Sequence, residues 1–274
     1  MKRVATIILN RNLPDVTNRL HEHLARFDAD LTDLYVVEAG SDAERFSRYA
    51  TWHASWPDAM VHGLRFCRGM NHGLSQLWKE NKFKQYDAFF LLTNDTELPD
   101  GPTLAPLMSV LDSHPRVGIL SPCGARWGER LLLTKESTKY FWFIHNHALL
   151  LRREFIESIM NREQPDFMHF LFDGTNFRGY GSESELIAKG YANDWAAAIT
   201  SKVFVGENES YLLNQAALIK TEQYEENLRL YIEEGQNWMR NKYGFNSRWS
   251  MQQYVKSFYD RFFEFHPEYH NYQV

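Results

Sequence analysis

The feature that most constrains this chain is a repeated one. A short, nearly continuous apolar run stops at a cluster of polar and acidic residues, and a segment of helical periodicity follows. Val4 to Leu9 runs into "NRNLPD", "DLYVV" into "EAGSD", and "YDAFFLL" into "TNDTELPDG". Such runs are too short for buried helices and read as strands buried on both faces. Between them, Val16, Leu20, Leu24 and Phe27 recur at helical spacing, and "MNHGLSQLWKENK" and "TLAPLMSVLDSHP" suit further helices, the second followed by the strand "VGILSP". Strands alternating with helices predict an α/β, Rossmann-like fold, a mainly parallel central sheet with helices on both faces. Ligands of such sheets bind beyond the carboxyl ends of the strands. The clusters "NRN", "EAGSD" and "TNDTE" are therefore expected to converge on one crevice.

Beyond residue 125 the pattern loosens. "HALLLRREFIESIM" reads as a strand entering a helix, and "GYGSESELIAKGY" as a loop entering a helix in which Ser182 caps the turn that holds Glu185. The composition then shifts to a helical stretch, "SYLLNQAALIKTEQYEENLRLYIEEGQNWMRNKYG", and an aromatic tail in which Tyr254, Phe258, Phe262 and Phe265 recur at helical spacing, as in a helix packed back on its own domain. This divides the chain into a nucleotide-type domain over 1–212 and a helical, aromatic-rich extension over 213–274. With 30 basic and 35 acidic residues the formal charge is -5, which gives no field to gather nucleic acid. The two cysteines, Cys67 and Cys123, form no metal or disulfide spacing and read as reduced core thiols. The first apolar run is too short for a signal peptide, and none approaches the ~20 residues of a transmembrane helix, so the expected location is the cytoplasm.

Three acids stand out. Asp95, at the end of a buried strand, can coordinate a hard divalent cation, Mg²⁺ or Mn²⁺, in oxygen-rich surroundings that include Asn94. Glu38 can accept hydrogen bonds from a ribose or base. Glu183, behind "GYGS", can serve as a general base. Each also has a plainer reading, as a solvated turn or as an acid favoured by a helix dipole, and the residues alone leave both open. His145 and His147 fit hydrogen-bonded structural histidines as well as ligands, and Trp127 and Trp142 fit core packing as well as stacking on a sugar.

The order of the blocks adds to this. "VATIILNRN", "LYVVEAGSD", "RFCRGMNHGLSQL", "YDAFFLLTNDTELPDG", "HALLLRREFIE" and "GYGSESEL" together resemble a family 2 type glycosyltransferase with the GT-A fold, most like its rhamnosyltransferase-like branch, over roughly residues 3–210. The resemblance implies that Glu38 contacts the nucleoside, with Asn10 and Asn12 near base and ribose. It places Arg68 and Asn71 by the diphosphate and sugar, Asp95 as the remaining acid of a DxD-like metal motif beside Asn94, and Glu183 as catalytic base. This sequence has Glu for Asp at 38 and 183, Ala39 for an asparagine, Thr93 for the first acid of the DxD, and Val203 and Val205 where a metal-completing histidine is expected.

The resemblance thus implies an inverting transferase, moving a sugar from a nucleotide-diphosphate donor to a hydroxyl of a glycan or other acceptor, assisted by Mn²⁺ or Mg²⁺. A homodimer through the extension is an accompanying expectation. The thinned DxD keeps a second reading in view, a nucleotide- or glycan-binding module without turnover. A sugar nucleotidyltransferase ranks behind both, because "LNRNLPDVTNR" lacks the glycine-rich phosphate loop such enzymes need after the first strand.

Overall fold

The computed structural model describes residues 3–145, 147–208, 211 and 214–274. The predicted strands form. β1 (Val4–Asn10), β2 (Thr32–Glu38), β3 (Ala50–His53) and β4 (Ala88–Thr93) make the first half of a sheet. β5 (Thr96–Glu97), β6 (Val117–Gly124), β7 (Thr138–Tyr140), β8 (Ala148–Arg152) and β9 (Ala196–Glu207) make the second. The order is β3-β2-β1-β4-β8-β6-β9-β5, with β7 also on β9. The first four strands pair in parallel, β8 lies antiparallel between β4 and β6, and β9 runs parallel to β6.

Eight helices flank the sheet or follow it among the described residues: α1 (Pro14–Phe27), α2 (Pro57–His62), α3 (Arg65–Lys79), α4 (Leu104–Ser113), α5 (Arg153–Ile159), α6 (Ser182–Ala192), α7 (Tyr224–Tyr243) and α8 (Arg248–Phe265). Two glycines of "RGMNHG" let α3 lie close to the sheet. A Cβ at Gly69 would stand 2.9 Å from the Leu9 side chain and one at Gly73 2.8 Å from that of Ile7. Burial of β1, β4 and β8 is nearly complete, and Val255, Tyr259, Phe262 and Phe263 of α8 belong to the same core. Both cysteines are free and buried. No helix among the described residues is long and apolar enough to cross a membrane.

Two local expectations change. The α6 N-cap is Gly181, held at φ 78° in the left-handed region, and Ser182 follows it with its hydroxyl unpartnered. A serine side chain caps from a β-region backbone, and the left-handed turn that glycine allows takes that place. Within the described part of the extension, residues 214–220 form turns, and a helix begins at Tyr224. Here the carbonyls of Leu218 and Ile219 accept from the side chains of Asn12 and Arg11. The proposed domain boundary at 212/213 falls outside the described residues.

Candidate active site

The strand-end clusters do converge. In register, Asn10 lies opposite Glu38 on β2, and Leu9 opposite Thr93 on β4. On the β1–β2 side the predicted residues bind one another. Asn10 donates to Glu38 Oε2 at 2.8 Å and to the Arg45 carbonyl, while its Oδ1 accepts from the Leu13 amide and the Thr17 hydroxyl. The other Glu38 oxygen accepts from the Ser47 amide at 2.7 Å. Burial raises the Glu38 carboxyl above its usual value, and bonds from Ser41, Ser47 and Asn10 offset part of that.

Asn12, at φ 58°, donates to Asp42 and to the Leu218 carbonyl at 2.7 Å and accepts from the Asp42 amide. Arg11 donates to the carbonyls of Ile219, Ala39, Ala59 and Val61, and burial draws its pKa down to about 10. Lys220 pairs with Asp42. The 214–220 turns are thereby strapped across the β1–β2 strand ends.

Arg68 and Asn71 of α3 serve a different loop. Both Asn71 amide hydrogens go to the carbonyls of Phe167 and Phe172, and its oxygen accepts from the amides of Leu171 and Phe172. Those four bonds fill the capacity of an asparagine. Arg68 donates to the Gly174 carbonyl at 2.8 Å, stacks on Phe177 and lies 3.7 Å from Asp58.

At the end of β4, Asn94 donates to the Thr17 hydroxyl at 3.1 Å, and the half-buried Asp95 accepts the Asn208 amide on its carbonyl. β5 pairs Thr96 with Glu207, the last residue of β9. His147 stands beside them, its carbonyl accepting the Thr93 amide. Its ring is 2% exposed and both ring nitrogens lack a hydrogen-bond partner. Nδ1 lies 3.3 Å from Glu207 Oε1, close enough for an ion pair but without hydrogen-bond geometry. Burial lowers the His147 pKa to about 4, so the ring is neutral near pH 7. Of the two readings left open for His147, a hydrogen-bonded structural histidine finds no ring hydrogen bond among the described residues.

Among the described residues no group of three His, Cys, Asp or Glu side chains is arranged to hold a metal. What the strand ends supply is a neutral imidazole with free nitrogens next to Glu207, with Asp95 on the adjoining turn.

Glu207 and Trp127 line a small cavity of about 220 Å³ with His147, and both also line a larger one of about 1090 Å³. The larger cavity holds Glu183. The left-handed Gly181 turns the chain into α6, so Glu183 and Glu185 fall in the first helical turn and receive different surroundings. Glu185 is 3% exposed and paired with Lys242 at 2.6 Å, with Lys189 and the Tyr243 hydroxyl adding to it; it ties α7 to α6. Glu183 faces the cavity instead. Burial raises its carboxyl above the usual range, and the charges of Arg248 and His145 pull it partly back.

Across the cavity His145 lies 3.5 Å from Glu129 Oε2 and stacks on Trp127 at 4.0 Å. Although burial acts to raise the Glu129 carboxyl, the bond from His145 leaves it below its usual value. Trp142, Phe143, Tyr180, Tyr231 and Trp249 complete an aromatic lining.

A strand order of four parallel strands followed by an antiparallel insertion, with an acid-bearing helix start beyond it, decides the architecture. This chain has the GT-A fold. Solved structures agree. Over 96% of this chain, GalNAc-T7 with UDP, GalNAc and Mn²⁺ superposes with a TM-score of 0.56 at 10% identity. The mannosyltransferase PcManGT from Pyrobaculum calidifontis, in complex with GDP-Man and Mn²⁺, matches 93% of the chain at a TM-score of 0.51 and 13% identity. TarS 1-349 of S. aureus with UDP-GlcNAc matches 96% at 0.51 and 14%. The chain spans 56% of the length of the GalNAc-T7 structure and 73% of the other two. No family model and no curated protein matches the sequence.

Sequence reasoning missed Glu207, Glu129, Tyr231 and Arg248. Glu207 carried the signal already used elsewhere: "AAAITSKVFVGE" is another apolar-rich run that stops at an acid. The other three come from segments whose approach to Glu183 no local pattern records.

Proposed function

We propose that this protein transfers a sugar from a nucleotide-diphosphate donor to an acceptor hydroxyl with inversion at the anomeric carbon, in the manner of the rhamnosyltransferase-like branch, acting in the cytoplasm. The observation that carries the reading is Glu183, a carboxylate of raised proton affinity in a roomy aromatic cavity whose far wall, Glu207, adjoins the Thr93 to Asp95 strand end. The acceptor oxygen attacks the anomeric carbon as its proton passes to Glu183. The bond from that carbon to the donor phosphate oxygen breaks, and its electron pair leaves with the nucleoside diphosphate. Asp95 is the residue that would hold a divalent cation, which would supply charge neutralisation of the diphosphate when bound. Asn10, Asn12, Glu38, Asn94, Arg68 and Asn71 set the walls of the donor crevice through the contacts described above.

Glu183→Gln is expected to lower transfer by roughly 10²- to 10⁴-fold, the usual worth of a general base. Donor binding, followed by thermal shift with UDP- and GDP-sugars and Mn²⁺, is expected to persist. Full transfer activity in this variant would remove Glu183 as the base. One observation favours a second reading, a binding module on the same fold: the side chains expected at the nucleoside are satisfied within the protein and covered by residues 214–221. Release of free nucleoside diphosphate from a donor panel separates the two, since a module binds without release.

A further inference from the structure

The basic side chains of the extension are almost all paired. Lys220 meets Asp42, Arg229 meets Glu226 and Glu233, Lys242 meets Asp173 and Glu185, Lys256 meets Asp260, and Arg261 meets Glu264. Arg240 bonds to Asn237 and Asn246. Arg248 differs. Among the described residues its guanidinium makes no hydrogen bond and no ion pair. It lies over the ring of Phe143 at 5.0 Å and near that of Tyr180 at 5.8 Å, on the wall of the Glu183 cavity. Two aromatic faces hold the cation in place without using any of its five N–H donors. Lys256, the other cation of this cavity, has its ammonium 2.6 Å from Asp260.

A guanidinium preset in this way suits bidentate capture of a planar or tetrahedral anion. The surrounding rings of Trp142, Tyr231 and Trp249 offer apolar faces to a sugar. Arg248 is exposed at the cavity mouth, and a neutral acceptor would leave its N–H donors to water, whereas an anion would engage them.

Resting on the transferase reading, we propose that the acceptor is an acidic sugar, carrying a carboxylate or phosphate that Arg248 binds while the ring stacks on the aromatic wall and its hydroxyl faces Glu183. Arg248 is then a specificity-determining residue contributed by the extension. Loss of the anion removes a bidentate contact, and loss of the arginine removes the distinction between acidic and neutral acceptors.

The test is a binding measurement, so it does not depend on turnover. Tryptophan fluorescence of the full chain is titrated with methyl β-glucuronide, glucose 6-phosphate and methyl β-glucoside, and separately with UDP and GDP plus Mn²⁺. Expected are at least tenfold tighter binding of one or both acidic sugars than of the glucoside, and loss of that margin in Arg248→Gln. Arg261→Gln, which removes the same charge from an exposed site on α8, is expected to keep the margin. Equal binding of acidic and neutral sugars, no binding of any of the three, or a margin surviving in Arg248→Gln would overturn the proposal. Weakened UDP or GDP binding in Arg248→Gln with the margin unchanged would overturn it too, because the arginine would then serve the donor. Failure of every nucleotide to bind would instead count against the transferase reading and leave the sugar comparison intact.

Discussion

His72 shows how a polar residue of a binding-type motif becomes part of the scaffold. It lies in "CRGMNHG", one position after Asn71, and its ring is 7% exposed beside Trp56, with Nε2 unpartnered. Burial, with a smaller contribution from Lys79, lowers its pKa to about 4 from the usual 6.5 of a histidine. A base with a depressed native pKa binds fewer protons folded than unfolded over that interval. Stability therefore rises with pH there, is fully present above about 6.5, and is lost as pH falls towards 4. Between pH 7 and 5 this one group accounts for a loss of about 2 kcal/mol. Urea midpoints at the two pH values measure it: His72→Gln is expected to show a drop smaller by about that amount, and an undiminished drop would mean that the ring is protonated in the folded protein. Asn71 makes the same point from the other side, since its amide closes four bonds to the 167–172 loop and holds that loop against α3.

At the scale of elements, the junction between α7 and the Glu183 cavity depends on one missing side chain. Gly235 is buried in the middle of α7, and a Cβ there would stand 2.4 Å from the Tyr180 Cβ. Tyr180 in turn lines the cavity and meets Tyr231 edge-on at 4.9 Å. By propensity alone, Gly235→Ala should strengthen the helix by about 1 kcal/mol. The clash should outweigh that, with a net loss of about 1–3 kcal/mol typical of an overpacked core. A thermal unfolding midpoint that falls in Gly235→Ala while helical circular dichroism stays constant is the expected result; a midpoint that rises would show that α7 moves away from Tyr180 without cost. The early elements were legible for a local reason. In β1, β2 and β4 both faces are buried, so each prints a continuous apolar run, and the polar break after it marks the crevice. β8 prints the same kind of run in "ALLLR", yet its antiparallel place between β4 and β6 depends on pairings far apart in sequence. No local period encodes that.

For the whole molecule, the extension and the sheet share one interior. Phe262 and Phe263 of α8 lie 6.3 and 6.1 Å from Tyr140 of β7, and Tyr259 lies 5.5 Å from Tyr191 of α6, centroid to centroid. The Tyr191 hydroxyl, itself buried, bonds to the carbonyls of Phe141 and Ala197 and so ties α6 to the strand bearing the cavity wall. Large aromatic side chains carry much of the burial energy of any core, and Tyr140 and Tyr191, which face α8, would meet water if the extension were absent. A chain cut after residue 223 should therefore lose cooperative unfolding and bind hydrophobic dyes, and it should lose the Glu183 cavity along with Tyr231 and Arg248. The full chain should show coincident denaturant transitions by tryptophan fluorescence and far-ultraviolet circular dichroism. If residues 1–223 unfold cooperatively with a midpoint near that of the full chain, the sheet is self-sufficient and the aromatic tail only covers it. The same comparison separates shape from chemistry: a stable shortened chain that still released nucleoside diphosphate from its donor, but no longer told acidic from neutral sugars, would place acceptor choice in the extension alone.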